Sequence, residues 1–162
     1  MEKVFVGKIV NTHGIKGEIR ILSDFELKER VFKKGMPVII NNQEFIINSY
    51  RPHKNFDMIT LEGFNDINQV LAFKGLNLFV KRDNLDLANN DYLMEDLIGM
   101  DVLIAGENMG VVKDYNRGQN SLLHVSYQDK IYYIPLNGDF IESVDLDKRK
   151  ILVKNSAKEL II

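Results

Sequence analysis

The chain divides at Tyr92-Leu93-Met94-Glu95-Asp96-Leu97-Ile98-Gly99, where apolar residues surround two adjacent acids. Residues 81–91, which precede this stretch, are mostly polar and show no hydrophobic periodicity. A polar, unpatterned run followed by an abrupt apolar restart is typical of a linker and the start of a second domain. We therefore predict an N-terminal domain over 1–82, a linker over 83–91 and a C-terminal domain over 92–162.

The composition is that of a globular protein. Of the 162 residues, 45% are hydrophobic, which argues against a disordered chain. There are no cysteines, so disulfides, thiolate metal sites and a cysteine nucleophile are excluded. No apolar run approaches the about 18 residues of a membrane span, and charges interrupt residues 1–8, unlike a signal peptide. We expect a cytoplasmic protein that does not bind a membrane.

Charge is distributed unevenly along the chain. Residues 1–84 carry 13 Lys and Arg against 10 Asp and Glu, a net charge of +3. Residues 85–162 carry 8 against 13, a net charge of −5. An acidic domain suits a basic protein partner and repels bare nucleic acid, whereas a mildly basic domain suits a phosphate backbone.

The N-terminal half is patterned as a small all-β domain with one short helix. Its apolar segments, separated by Gly, Pro and Asn, predict six strands and a closed barrel. The best helix lies at Asp66–Gly75, where Asp66 and Gln69 have capping-box spacing and Gly75 suits the C′ position. Ile67, Val70 and Leu71 are expected to share its apolar face. Segment 24–35 fits either a short helix or an irregular turn. The strands are predicted within residues 4–10, 18–22, 38–40, 44–53, 58–61 and 76–81.

The C-terminal half is patterned as a second all-β domain of short antiparallel strands. These strands are predicted within residues 102–104, 109–115, 122–127, 131–135, 140–146 and 151–153. Strand alternation requires that Tyr132 and Tyr133 point to opposite faces, one into the core and one outward as a candidate contact.

No pattern in the sequence indicates catalysis. The three histidines, His13, His53 and His124, lack metal-ligand spacing, and no nucleophile or nucleotide-binding motif is present. Glu95 and Asp96 suit capping or solvation better than acid–base chemistry, since no partner accompanies them. We predict no catalytic residue, metal, cofactor or small-molecule substrate. An enzyme would require a deep pocket lined by His13, His53 and Glu18.

Two loop regions could serve RNA, and each has a structural alternative. Residues 13–17 fit a glycine turn better than an anion-binding loop, because no helix follows them. Residues 51–54 fit an edge strand leading into a loop, or a contact with RNA backbone. The candidate RNA contacts are His13, Lys16, Arg20, Arg51, His53 and Lys54.

Residues 6–20 read VGKIVNTHGIKGEIR, and Tyr92–Gly99 opens the second predicted domain. The first segment resembles the opening of the RimM family of bacterial ribosome maturation factors, and the second resembles the start of that family's C-terminal PRC-barrel domain, in the same order. Further matching segments are Leu61-Glu62-Gly63, the helix through Ala72 and Gly75, Gly118-Gln119-Asn120, Ile134-Pro135 and Val144-Asp145-Leu146.

The resemblance implies a specific fold and function. The fold would be a six-stranded barrel similar to a module of translation elongation factors, followed by a PRC barrel. The function would be that of a non-catalytic, chaperone-like assembly factor, expected to be monomeric, for the small ribosomal subunit. It would bind ribosomal protein S-nineteen, a basic protein, and the precursor subunit with its ribosomal RNA, and aid head maturation and RNA processing. The residues leave open an alternative, a general RNA-binding β-barrel protein without ribosome specificity.

The resemblance also implies a contact site at the start of the second domain. The family carries two adjacent aromatic residues at the positions of Tyr92 and Leu93, a pair associated with ribosome binding. Here only Tyr92 is aromatic, and leucine lacks the flat stacking face of a ring. We expect Tyr92, Leu93, Glu95 and Asp96 to contact the ribosomal protein or the ribosome. Leu97 and Ile98 are expected to anchor the barrel.

Overall fold

The computed structural model describes residues 2–117 and 121–161. The chain forms two compact units, Met1–Leu87 and Ala88–Ile162. The exact bounds of the two domains and of the linker over 83–91 remain a prediction. Gly118-Gln119-Asn120, one of the family-like motifs, lies outside the described residues.

The first unit is a closed six-stranded barrel, as the sequence predicts. All neighbouring strands pair antiparallel, in the order β1-β2-β5-β4-β3-β6. The strands are β1 (Lys3–His13), β2 (Glu18–Leu22), β3 (Pro37–Ile40), β4 (Gln43–His53), β5 (Phe56–Leu61) and β6 (Asn77–Lys81).

Two irregularities in β1 help to close this barrel. The strand pairs with β6 along its first half and with β2 along its second half. Its register shifts between Phe5 and Gly7, and again between Ile9 and Asn11. A β-bulge bends a strand and increases its twist, so one strand can serve both neighbours around the barrel.

The capping box of the barrel's clearest helix is confirmed. The Asp66 side chain accepts a hydrogen bond from the Asn68 N–H, and the Gln69 side chain accepts one from the Asp66 N–H. The α-helical part is short: α2 covers Ile67–Val70 and continues as a 3₁₀ turn over Leu71–Phe73. In segment 24–35 there is likewise one helical turn, α1 (Lys28–Val31).

The predicted apolar face of this helix was wrong at Leu71. That side chain is 51% exposed, whereas Val70 is fully buried. Because the tighter 3₁₀ turn begins at Leu71, the side chain of Phe73, and not that of Leu71, is partly buried. The Phe73 ring packs edge-on against Phe45 of β4, with ring centroids 5.3 Å apart.

The second unit contains one six-stranded sheet in the order β10-β9-β8-β7-β12-β11. Four of its five strand pairings are antiparallel, as in the first unit, whereas β12 and β7 run parallel, with Ile151 beside Val102. The expectation of purely antiparallel strands was therefore wrong, because side-chain alternation marks a strand without identifying its partner. The strands are β7 (Asp101–Ile104), β8 (Glu107–Asn116), β9 (Leu122–Tyr127), β10 (Lys130–Pro135), β11 (Ile141–Asp145) and β12 (Lys150–Val153).

The two adjacent tyrosines of β10 divide between core and surface, as predicted. Tyr132 is 6% exposed, and its hydroxyl donates a 2.7 Å hydrogen bond to the carbonyl oxygen of Met109. Tyr133 is 51% exposed and lies edge-on to the His124 ring, with centroids 4.9 Å apart. A buried tyrosine needs a partner for its hydroxyl, and the bond to Met109 supplies one.

The Tyr92–Gly99 segment anchors itself on the second core through a 3₁₀ turn, Met94–Leu97. Leu93, Met94 and Leu97 are buried. Ile98 is 41% exposed, so its predicted role as an anchor was wrong; the backbone turns extended after Leu97 and carries this side chain outward. Across the described ranges, none of the helices is long and apolar enough to cross a membrane.

Gly110 in β8 gives a direct test of how tightly the second sheet is packed. Its φ is +126°, and a Cβ there would lie 2.5 Å from the Ser126 carbonyl oxygen on β9. We expect Gly110→Ala to lower the free energy of unfolding by about 2 kcal/mol or more, through backbone strain and overpacking. Urea unfolding followed by circular dichroism measures this difference.

Gly138→Ala is the matched control, because no atom lies within 4 Å of its added Cβ. Equal unfolding midpoints for the two variants would contradict the close approach of β8 to β9.

Candidate functional site

Two hairpins of the first unit meet at one end of the barrel. The β1–β2 hairpin ends at the pair His13 and Glu18, and the β4–β5 hairpin ends at the pair His53 and Phe56. Because β2 pairs with β5, these ends are neighbours, and the His13 and His53 ring centroids lie 5.8 Å apart. The structure thus brings together the residues that the sequence singled out for RNA. We call this set the basic hairpin cluster: His13, Lys16, Arg20, Arg51, His53 and Lys54.

Arg20 fixes the hydrogen-bonding state of His13. The Arg20 Nη2 lies 3.1 Å from His13 Nδ1. A guanidinium group only donates, so Nδ1 must accept and the imidazole carries its proton on Nε2. The Nε2–H is then a donor for a ligand. Arg20 is itself positioned by stacking, with its guanidinium carbon 5.0 Å from the Phe56 ring centroid.

Arg20 also retains an unused donor. Its Nε is buried, and no acceptor for it exists among the described residues. A buried donor without a partner costs free energy comparable to a lost hydrogen bond. An acceptor supplied by a bound molecule would remove that cost.

Arg51 is held by Glu18 in a bidentate ion pair. The Arg51 Nε donates to Glu18 Oε2 at 2.8 Å, and Nη2 donates to Oε1 at 2.7 Å. The hydrogen bond from Arg51 holds the pKa of Glu18 below its usual value, so this carboxylate stays ionised at neutral pH. The Arg51 guanidinium is therefore already paired with Glu18 and is not free to bind a phosphate in this state.

The cluster nevertheless has a positive net charge. Its four cations, Lys16, Arg20, Arg51 and Lys54, are offset by the carboxylate of Glu18, which leaves +3 before the imidazoles are counted. Desolvation and the nearby charges of Arg51 and Lys54 lower the pKa of His53 below 6.5. At neutral pH His53 is a neutral donor and acceptor.

The turn between β1 and β2 is fixed to α2. Gly14 and Gly17 have φ of +72° and +83°, which confirms the predicted glycine turn. The Ile67 N–H donates a 3.0 Å hydrogen bond to the Ile15 carbonyl oxygen. The Ile15 side chain is 81% exposed, so a rigid turn presents a large apolar group to solvent. We did not single out Ile15 from the sequence; the available signal is an aliphatic residue between two glycines.

The residues of the enzyme hypothesis do meet, but their arrangement suits binding. A cavity of about 350 Å³ lies beside the turn and is lined by His13 and Glu18, but not by His53. Both Glu18 oxygens bind Arg51, and Arg20 occupies Nδ1 of His13. Thr60, the hydroxyl residue of the cavity, is hydrogen-bonded to Ser49. No pair of nucleophile and general base results in this cavity.

The Tyr92–Gly99 segment supplies the second candidate site, with one correction. Tyr92 is half-buried against the core of the second unit, and burial raises the pKa of its hydroxyl. Leu93 is fully buried, so its side chain stabilises the segment by packing and is not available as a contact surface. Asp96 caps the 3₁₀ turn by accepting a 2.8 Å hydrogen bond from the Leu93 N–H. Glu95 is partly exposed.

Within residues 2–117 and 121–161, no three His, Asp or Glu side chains are arranged to hold a metal ion.

Comparison with known proteins gives matches over both units. The model of the RimM N-terminal domain matches residues 4–85, and that of the RimM PRC barrel domain matches residues 94–157. A ribosome maturation factor RimM from an Exiguobacterium species is 34% identical over 161 residues, covering 94% of each chain. One from Staphylococcus saprophyticus is 38% identical over 160 residues, covering 93% of this chain and 95% of that protein. The solution structure of the N-terminal domain of RimM from Thermus thermophilus is 17% identical with a TM-score of 0.47, covering 54% of this chain and 98% of that one.

The electrostatic environment of His53 can be tested by replacing Lys54. Lys54 has φ of +56°, a conformation that asparagine tolerates, so Lys54→Asn removes a positive charge without straining the turn. Positive neighbours disfavour the imidazolium form, so removing one should raise the pKa of His53 toward 6.5. An NMR titration of the histidine ring protons measures this shift.

Lys33→Gln is the control, because this exposed lysine is not among the groups that lower the pKa of His53. An unchanged His53 titration in Lys54→Asn would contradict the contribution of the Lys54 charge to the lowered pKa of His53.

Proposed function

The chain belongs to the RimM family of ribosome maturation factors, and from that premise we propose that it helps to assemble the head of the small ribosomal subunit. Family membership gives it a role in ribosome assembly. Our finer proposal is that it binds ribosomal protein S-nineteen and small-subunit ribosomal RNA in the cytoplasm. It would act as a monomeric chaperone that holds its partners, aids RNA processing and leaves without catalysing a reaction.

One observation carries this proposal: the convergence of the basic hairpin cluster on one unit of a chain whose other half is acidic. The cluster has a net charge of +3, whereas residues 85–162 carry −5. Opposite charges attract and like charges repel over about 8 Å at physiological salt. The first unit is thereby suited to RNA, and the second to a basic protein.

The cluster offers two kinds of contact to RNA. Lys16 and Lys54 lie on the hairpin turns and can pair with phosphates as point charges. Arg20 and the Nε2–H of His13 are directional donors that suit phosphate oxygens. Phosphate contacts position a protein on RNA without reading its sequence.

The second unit would meet S-nineteen through the Tyr92–Gly99 segment. Tyr92 is partly exposed, and Glu95 and Asp96 follow it on the 3₁₀ turn Met94–Leu97. A basic protein would be steered by the acidic unit and then packed against the tyrosine. Leu93 has a supporting role, since its side chain lies in the core.

The cluster by itself also fits a general RNA-binding barrel without ribosome specificity. The two functions differ in selectivity. A general RNA binder would hold unrelated RNA as tightly as head-domain RNA and would ignore S-nineteen.

Charge removal at the hairpin tips tests the RNA contact. We expect the double variant Lys16→Ala, Lys54→Asn to bind head-domain RNA about tenfold more weakly, since two phosphate contacts are lost. The dependence of log affinity on log salt should flatten by about 1.5. Fluorescence anisotropy across a salt series measures both quantities.

The matched control is Lys33→Ala, Lys34→Ala, which removes two exposed lysines of the same unit outside the cluster. If both double variants lose the same affinity, only net charge matters and the cluster is not the contact. Equal wild-type affinity for unrelated RNA would instead favour the general RNA binder.

Charge reversal in the second unit tests the protein contact. We expect Glu95→Lys to weaken binding to S-nineteen about tenfold at low salt, and less at high salt, because a positive charge then faces a basic partner. Isothermal titration calorimetry measures the affinity, and a thermal melt of each variant checks its fold.

Glu62→Lys is the control, since it makes the same charge change at an exposed residue of the first unit. The whole proposal fails if the wild-type chain enriches neither small-subunit precursors nor S-nineteen in a low-salt pull-down.

A further inference from the structure

We propose that the outer face of β1 binds single-stranded RNA, with one base stacked on the ring of Phe5. This inference rests on the proposed RNA contact of the basic hairpin cluster and adds the form of RNA that the first unit holds and the path of the strand. The contact surface, which we call the Phe5 platform, consists of Phe5, Lys8 and Leu22.

A bulge in β1 brings Phe5 and Lys8 to the same surface. The residues on either side of Phe5 are buried, whereas the Phe5 side chain is 40% exposed. The register then shifts between Phe5 and Gly7, so the alternation of inward and outward side chains restarts with Lys8 exposed. Lys8 pairs with Leu22 of β2, which is 52% exposed. The three side chains therefore lie next to one another on the outside of the barrel.

The Phe5 ring is held in place while part of its surface stays open. It packs edge-on against Phe79, its partner on β6, with ring centroids 5.8 Å apart. The Lys3 ammonium lies 5.3 Å from the Phe79 ring centroid and donates a hydrogen bond to Asn42, so Phe79 is the covered ring of the pair. Beside Phe5 lies a cavity of about 370 Å³, a volume at the lower end of the range of ligand pockets. A flat base can therefore enter and cover the Phe5 ring.

The charges of the β1–β2 hairpin favour RNA over an apolar protein segment. Residues 3–22, which form this hairpin, have a net charge of +3, because one carboxylate faces four cations: Lys3, Lys8, Lys16 and Arg20. The carboxylate is that of Glu18, which is paired with Arg51. When Asp24, which lines the cavity, is included, the net charge is still +2. An apolar segment over Phe5 would take the Lys8 ammonium out of water, whereas a nucleotide places its base on the ring and its phosphate near the lysine.

The same two strands connect the Phe5 platform to the basic hairpin cluster. Farther along the hairpin, Asn11 pairs with Arg20 and His13 pairs with Glu18. At about 3.4 Å per residue, the path along β1 from Phe5 to His13 is roughly 25 Å long. A strand that covers both surfaces therefore fits the about 4–16 nucleotides that a small OB-fold barrel binds. The platform extends the proposed RNA contact along one face of the barrel.

Stacking on Phe5 requires a single strand. In a duplex, each base is already paired and stacked, and A-form helices expose mainly phosphates and 2′-hydroxyls. A loop, bulge or end can turn a base outward and onto the ring. Since every base has a flat aromatic face, such a platform tolerates any sequence.

A fluorescent reporter tests the stacking contact. The protein contains no tryptophan, so Phe5→Trp introduces a single one at the platform. We expect an oligouridine of about 12 nucleotides, which lies within the site sizes of small barrels, to quench the tryptophan emission as a base stacks on the indole. Annealing this strand to its complement should abolish the quenching.

Ile131→Trp is the matched control. Ile131 is a 50% exposed strand residue of the second, acidic unit, so its replacement should report no quenching when the same oligouridine binds.

The affinity of the platform variants gives a second readout. We expect Phe5→Ala to bind the oligouridine about tenfold more weakly, the effect of losing one base stack, and Phe5→Trp to bind at least as tightly as the wild type. Ile131→Ala should bind as the wild type does. Fluorescence anisotropy with labelled RNA measures these affinities, and circular dichroism checks each fold.

Lys8→Gln tests the phosphate contact beside the ring. The dependence of log affinity on log salt should flatten by about 0.7, the value for one phosphate contact on a single strand. Lys33→Gln, which removes an exposed lysine outside the hairpin, should leave the dependence unchanged.

The possible failures are distinct. If the oligouridine binds but neither quenches Phe5→Trp nor loses affinity for a folded Phe5→Ala, the platform is wrong and the RNA contact of the basic hairpin cluster stands. Equal quenching by the duplex overturns the choice of single-stranded RNA. If Phe5→Ala weakens binding to S-nineteen and not to RNA, the surface is a protein interface and the inference is wrong. Absence of binding to every RNA overturns the RNA contact and the platform together.

Discussion

Pairing of β2 with β5 is the constraint on which the candidate RNA surface depends. It sets Ile19 beside Ile59, Arg20 beside Met58 and Ile21 beside Asp57, and so joins two hairpins that are distant in sequence. Ile19, Ile21 and Ile59 are fully buried, and each such side chain stabilises the barrel by about 1.5–3 kcal/mol. The Arg51–Glu18 ion pair joins β4 to β2 and is partly exposed, where such pairs contribute about 0–1 kcal/mol. Core packing thus brings the hairpins together, and the ion pair orients their tips.

Because the apolar core holds the strands together, the polar side chains of the hairpin tips are available for function. Arg51 keeps Glu18 ionised, and Arg20 fixes the proton of His13 on Nε2. The barrel is closed by the backbone pairing of its six strands, and neither side-chain interaction is part of that pairing. Gly17 contributes in another way, because its φ of +83° and its close approach to Asp66 disfavour a side chain there and fix the turn that presents Ile15. The rigid barrel therefore displays a preorganised set of donors beside one apolar group.

Local signals in the sequence were sufficient for much of the fold. Alternating apolar residues gave the first barrel, spacing gave the capping box of Asp66 and Gln69, and strand geometry gave the split of Tyr132 and Tyr133. Long-range pairing gave no such signal. The parallel contact of β7 with β12, the exposure of Ile98 and the burial of Leu93 all depend on which distant element covers a residue. The six candidate RNA residues were chosen from the sequence by their residue types and loop positions. That they lie close together, and that Arg51 pairs with Glu18, became visible only in the folded barrel.

A cross-linking map on precursor small subunits tests the central claim most directly, which is that the two units bind different partners on one assembling head. With a photoreactive group introduced at Lys16 or Lys54, the account predicts cross-links to head-domain ribosomal RNA. With the group at Glu95, it predicts cross-links to S-nineteen. Cross-links from both units to the same RNA, or from either unit mainly to the large subunit, would contradict it.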